Sequence, residues 1–100
     1  MRRANINVKV RLLGALRGMS GKNRVSLKLE KPETIKQVIQ RIVERFPVEF
    51  GRALIDHELD DPRPNALIFL TGREISVLDG LETMVKDGDE IVLIPVSHGG

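Results

Sequence analysis

Apolar residues occupy every second position near the start of the chain. Ile6, Val8, Val10 and Leu12 alternate with Asn7, Lys9, Arg11 and Leu13, the two-residue period of a half-buried strand. Gly14, Gly18 and Gly21 interrupt the pattern, which resumes as Val25, Leu27 and Leu29 against Arg24, Ser26, Lys28 and Glu30. Two such runs joined by a glycine-bearing connection predict an antiparallel hairpin. The period then changes. Ile35, Val38, Ile39, Ile42, Val43 and Phe46 make one apolar stripe of an amphipathic helix. Thr34 and Gln37 have capping-box spacing at its start. Pro47 ends it, because the residue before a proline is pushed out of the helical region. Residues 47–65 read as irregular, with one helical turn near 52–55 and a loop at Asp60-Asp61-Pro62-Arg63-Pro64. Strands are expected at residues 66–71, at 74–78 after a turn at Gly72, and at 90–96 after the turn Asp87-Gly88-Asp89.

The order β-β-α-β-β-β around one main helix predicts an α+β domain whose mixed sheet packs one face on that helix. Crossing from the second strand to the third through the helix lets the first and last strands lie side by side, which is the β-grasp arrangement. The expected organisation is a single domain over residues 1–96 and a flexible tail over 97–100.

Two strands break the alternation. Ala66-Leu67-Ile68-Phe69-Leu70 and Ile91-Val92-Leu93-Ile94-Pro95-Val96 are apolar throughout. Continuous apolarity suits a strand covered on both faces, but one helix in 100 residues leaves one face of the sheet uncovered. The surplus then forms an exposed apolar patch, the mark of a partner surface. Parity puts Ile91 and Leu93 inside and Val92, Ile94 and Val96 outside. Leu13 and Pro95 join them as candidate partner-binding residues.

Composition narrows the chemistry. The chain has no Cys, Trp or Tyr, so disulfides and thiolate sites are excluded. Its aromatics are Phe46, Phe50 and Phe69, too few for a base-stacking platform. Sixteen Lys+Arg against fourteen Asp+Glu leave a net charge of +2. The pI of 9.3 reflects the scarcity of groups that titrate just above neutrality. The basic residues are scattered, so neither nucleic acid nor membrane is an expected direct partner. No apolar run approaches the roughly 20 residues of a membrane span and no secretory signal is recognisable, which makes the cytoplasm the expected location.

Catalytic templates fail one by one. Gly21-Lys22 would belong to a phosphate-binding loop only with glycine at position 16 and Ser or Thr at 23, where Leu16 and Asn23 stand. Ser26 and Ser76 have no marked base partner. Asp56-His57-Glu58 with Asp60-Asp61 reads as an acidic solvated loop, since a lone His lacks the clustering of a zinc site. No catalytic residue, metal ligand or bound cofactor is expected, and the chain reads as a non-enzyme.

What remains is Ser97-His98-Gly99-Gly100. Four residues reach at most about 13–14 Å, and glycine, lacking a Cβ, passes where no side chain fits. Such a tail would deliver the Gly100 carboxylate. A carboxylate resists nucleophiles until its oxygen becomes part of a leaving group, such as a mixed anhydride with AMP. The ATP and Mg²⁺ for that step would be supplied in a partner's site.

Asp87-Gly88-Asp89-Glu90-Ile91, the apolar strand that follows and Gly99-Gly100 resemble the C-terminal block of the β-grasp sulfur carriers and ubiquitin-like modifiers. Arg63-Pro64-Asn65 leading into Ala66–Thr71 looks like the small subunit of molybdopterin synthase and its archaeal relatives. His98-Gly99-Gly100 looks like the ending of the ubiquitin-related modifiers, which carry sulfur for tRNA thiolation and conjugate to lysines. The resemblance implies a ubiquitin-activating-type enzyme that docks on the apolar patch, threads Ser97 to Gly100 and adenylates Gly100. A persulfide donor would then convert it to a thiocarboxylate, or a protein lysine would form an isopeptide bond. Two alternatives stay open: the sulfur-donating small subunit working with a molybdopterin synthase large subunit, and a non-covalent β-grasp binding module.

Overall fold

The computed structural model describes residues 5–96. Five strands form one sheet: β1 (Ile6–Leu12), β2 (Arg24–Leu29), β3 (Ala66–Leu70), β4 (Arg73–Glu74) and β5 (Glu90–Pro95). Their spatial order is β2-β1-β5-β3-β4. β1 runs antiparallel to β2 and parallel to β5, so the first and last strands are neighbours at the centre. This is the β-grasp arrangement that the element order predicts.

The main helix, α2 (Ile35–Arg45), is shorter by one residue at its C-terminal end than the apolar stripe. Phe46 is its C-cap, in extended conformation before Pro47. At the other end the Thr34 hydroxyl accepts from the Gln37 amide, and the Gln37 side chain accepts from the Thr34 amide. This capping box satisfies two amides that the first turn would otherwise leave unpaired.

The structure differs from the sequence expectation in three places. The connection after β1 contains a short helix, α1 (Gly14–Ser20), with Leu16 as its buried residue; one buried position shows no period. The segment after Pro47 contains α3 (Val48–Leu54), not a single turn near 52–55. It buries Phe50 and Leu54 one turn apart, and Phe46 stacks obliquely on Phe50 with ring centroids 4.9 Å apart. Gly51 permits the close approach of α3 to α2, since a Cβ there would lie 2.9 Å from Val43 Cγ1. The strand expected over 74–78 stops at Glu74. There the Glu74 carboxylate accepts the Ser76 amide, and Ile75–Val77 coil into a 3₁₀ turn that sends Ile75 into the core.

One core joins these elements. Val8, Val10 and Leu12 of β1, Val38 and Ile42 of α2, Phe50 and Leu54 of α3, Ile68 of β3 and Ile91 and Leu93 of β5 are all essentially inaccessible. The helices cover one face of the sheet. Among the described residues, nothing covers the other face.

Candidate functional site

The open face divides along the boundary between β1 and β5. On β1 and β2 the outward positions are Asn7, Lys9 and Arg11, and Lys28, Ser26 and Arg24, paired in register across the hairpin. On β5 and β3 they are apolar. Val92 stands opposite Phe69, and Ile94 opposite Leu67. Leu67 is 44% exposed, while Val92, Ile94 and Phe69 are half-buried among one another. These two cross-strand pairs make a continuous apolar stripe on a face that no helix among the described residues covers.

The expected partner residues fall into two groups. Val92 and Ile94 lie in the stripe, and Val96 continues their parity at the end of β5. Leu13 sits one residue past β1, still extended (φ −115°, ψ 164°). Its amide donates to the Leu93 carbonyl at 3.3 Å, which keeps it beside β5 on the outward parity. Pro95 has the inward parity of Ile91 and Leu93 and packs toward Gly14 instead. A Cβ on Gly14, whose φ of +54° already favours glycine, would stand 3.0 Å from Pro95 Cγ. Proline is tolerated at this point because β1 ends opposite Leu93. No ladder bond from the residue 95 nitrogen is therefore forgone. Leu67 and Phe69 complete the stripe. Their signal was the unbroken apolar run at 66–70; parity against Ala66 and Ile68 would have assigned them outward.

The end of β5 is clamped. The Val96 amide donates to the Asn65 carbonyl at 3.0 Å. The Asn65 side-chain amide in turn donates to the Leu54 carbonyl at the end of α3, at 3.4 Å. Just before it, Arg63 forks onto the Asp61 carboxylate through Nε and Nη2. That hydrogen-bonded guanidinium holds Asp61 below the ordinary carboxylate range, against the opposing effect of burial. Arg63-Pro64-Asn65 is thus a brace that fixes where β5 ends. Ser97, His98, Gly99 and Gly100 lie outside the described residues.

The rim of the stripe is charged. Arg11 is the β1 neighbour of Val92, and Lys9 that of Glu90. On the other side Glu74 pairs with Phe69. Hydrogen bonds from the Ser76 hydroxyl and amide keep its carboxyl below its usual range. The acidic loop makes its own use of its carboxylates: Asp56 Oδ1 accepts the Glu58 and Leu59 amides. Among the described residues no group of three or more His, Cys, Asp or Glu is placed to hold a metal ion, and no helix is long and apolar enough to cross a membrane.

Comparison with known proteins follows the same outline. The sequence model of the ThiS family matches residues 10–100. Ubiquitin-related modifier 1 of Saccharomyces cerevisiae is 31% identical over 98 residues, which cover 95% of this chain and 99% of the relative. Small archaeal modifier protein 3 of Haloferax volcanii is 24% identical over 95 residues, covering 95% of this chain and 100% of the relative. The solution structure of small archaeal modifier protein 1 from Methanosarcina acetivorans superposes with a TM-score of 0.81 at 26% identity, over 97% of this chain and 99% of that one.

Proposed function

Since the chain belongs to the ThiS family of β-grasp proteins, we propose that it works as a ubiquitin-like modifier and sulfur carrier whose reactive atom is the Gly100 carboxylate carbon. The observation that carries this reading is the apolar stripe of Leu67, Phe69, Val92 and Ile94. It runs along an uncovered sheet face up to the clamped residue from which the diglycine tail departs.

The stripe supplies docking energy and the tail supplies chemistry. Burying a half-exposed apolar side chain contributes about 1 kcal/mol, so the four of the stripe together with Leu13 favour a transient complex with an activating enzyme of the ubiquitin type. The clamp at Asn65 and Val96 fixes the origin of the tail, and Ser97 to Gly100 reach about 13 Å from it. Glycine at 99 and 100 lets the tail enter a narrow channel, with Ser97 and His98 threaded behind them. In the partner's site a Gly100 carboxylate oxygen attacks the α-phosphorus of ATP and pyrophosphate leaves; Mg²⁺ bound there offsets the phosphate charge. A persulfide sulfur, or a protein lysine amine, then attacks the acyl carbon and AMP departs. The lysine route ends in an isopeptide bond. On the sulfur route a thiol then reduces the acyl disulfide and releases a Gly100 thiocarboxylate. This chain contributes position, not catalysis, and the need for ATP suits a cytoplasmic setting.

The test is to mix the protein with a cognate activating enzyme, ATP, Mg²⁺ and a persulfide source, and to read intact mass. An adenylate, an oxygen-to-sulfur exchange at Gly100 or a lysine conjugate supports the proposal. None of the three, with a folded protein and an enzyme active on another carrier, would sink it.

A further inference from the structure

Two charges on α2 work against the helix that carries them. Lys36 is its second residue and Glu44 its last but one. Aligned peptide dipoles leave the start of a helix partly positive and its end partly negative, so a cation in the first turn and an acid in the last are both misplaced. Among the described residues neither forms an ion pair. Lys36 feels the field of Asp61, but Arg63 already holds that carboxylate. Glu44 feels Arg41, which is committed to Glu33. Folding gives no reason for either placement.

Lys36, Gln40 and Glu44 follow one another at intervals of four and make one ridge of the helix surface. Between this ridge and the loop after α3 runs a groove of about 200 Å³. Its floor is apolar, formed by Ile39, Val43, Ile55 and Pro62, and Asp60 stands on the loop wall.

The order of charges selects the occupant. Along the ridge it reads positive, neutral, negative, which is its own complement when reversed about Gln40. A second copy packed antiparallel about a two-fold axis at Gln40 sets each Lys36 against the Glu44 of its twin. The twin's dipole also runs the other way, so each charge that its own helix disfavours faces the end that favours it. Packing four-spaced ridges into grooves permits this pairing. It lays the aliphatic stems of the twin's ridge over the apolar floor.

We infer that α2 is a self-association face through which two copies of this chain form a weak symmetric dimer. Both apolar stripes stay open in it, because α2 covers the opposite face of the sheet, and the association is independent of Gly100 chemistry. Eleven residues of helix make a smaller contact than a stable dimer needs, so a dissociation constant of about 0.1–1 mM is expected.

Sedimentation equilibrium of the full chain, from micromolar to millimolar concentration, measures it. Lys36→Glu alone and Glu44→Lys alone each replace two attractive pairs by two repulsive ones, and should weaken self-association at least about tenfold. Both substitutions suit the dipole of α2, which keeps the variants folded. An equimolar mixture of the two variants should restore the dimer, because the exchanged charges again meet as opposites. With one variant isotopically labelled and the other not, amide shifts along residues 36–44 should appear on mixing. A parent protein that stays monomeric at millimolar concentration would overturn the inference. So would single variants that associate as well as the parent, a mixture no tighter than either variant alone, or shifts centred on Val92.

Discussion

The two halves of the open sheet face share one pleat, one twist and one solvent, yet they carry opposite chemistry. On β1 and β2 alternation holds, and the outward side chains are Asn7, Lys9, Arg11, Arg24, Ser26 and Lys28. On β5 and β3 it fails, and Val92, Ile94, Leu67 and Phe69 face outward. A second covering layer would explain apolar outward residues, but the helices all lie on the other side. β3 and β5 are therefore not patterned for folding alone. Their inward residues serve the core, and their outward ones leave apolar surface for something outside the chain.

The sharpest way to break this comparison lies within a single strand. Leu93 and Ile94 are consecutive, one fully buried and one outward. Leu93→Ala should cost about 3 kcal/mol in urea unfolding, the sum of lost burial and a residual cavity. Ile94→Asp should change stability by about 1 kcal/mol or less while lowering the rate of Gly100 adenylation at least about tenfold. Equal destabilisation by both would mean that the stripe is core, and the contrast between the halves would vanish.

Next in size is the support behind the charged half. Glu33, just before the α2 N-cap, is nearly inaccessible (side chain 4% exposed) and is bridged by Arg41 of α2. The hydrogen bond from Arg41 outweighs desolvation and holds the Glu33 carboxyl below its ordinary range. A carboxyl whose folded pKa is depressed adds stability above its unfolded value of about 4.3, and that stability is lost as pH falls through the folded value. Arg41→Met leaves a buried carboxylate unpaired and should cost about 2 kcal/mol at neutral pH. It should also move the acid-unfolding midpoint upward. Adenylation at neutral pH should survive, because the stripe and the tail exit lie on the other half.

A smaller effect is expected where the two halves meet. Gly14→Ala sets a Cβ against Pro95 in a backbone region that favours glycine. It should cost about 1 kcal/mol and slow adenylation more than its stability loss explains, since Leu13 and Pro95 both shift. The smallest effect belongs to the charged half itself. Arg11 and Arg24 are direct cross-strand neighbours, and like charges in that position are unfavourable. Arg24→Glu should stabilise the fold by about 0.5 kcal/mol, measured by thermal unfolding, with the gain fading in high salt.

Much of this was legible in the chain. The alternating residues of β1 and β2, the α2 stripe with its Thr34–Gln37 box and the parity of Ile91 to Ile94 all follow from periods that a neighbouring element rewards. The elements that the period does not show share a cause. α1 buries one residue and α3 two, so neither repeats long enough to display a period. Glu74 ends β4 by capping a 3₁₀ turn, a choice made by one carboxylate and one amide. Asn65 was visible as part of a motif, but its part in holding Val96 was not.

The sequence by itself determined which residues face in and which face out, because local period and backbone sterics decide that within each element. It also determined that no thiol chemistry can originate in this chain, which has no cysteine. Only the tertiary structure decided which outward residues become neighbours. Leu67 and Ile94 are 27 positions apart, and Asn65 and Val96 are 31. Strand register, set jointly by the core, brings the first pair into one stripe and the second into one clamp. A one-residue slip between β3 and β5 would have broken both the Leu67–Ile94 pairing and the Asn65–Val96 clamp.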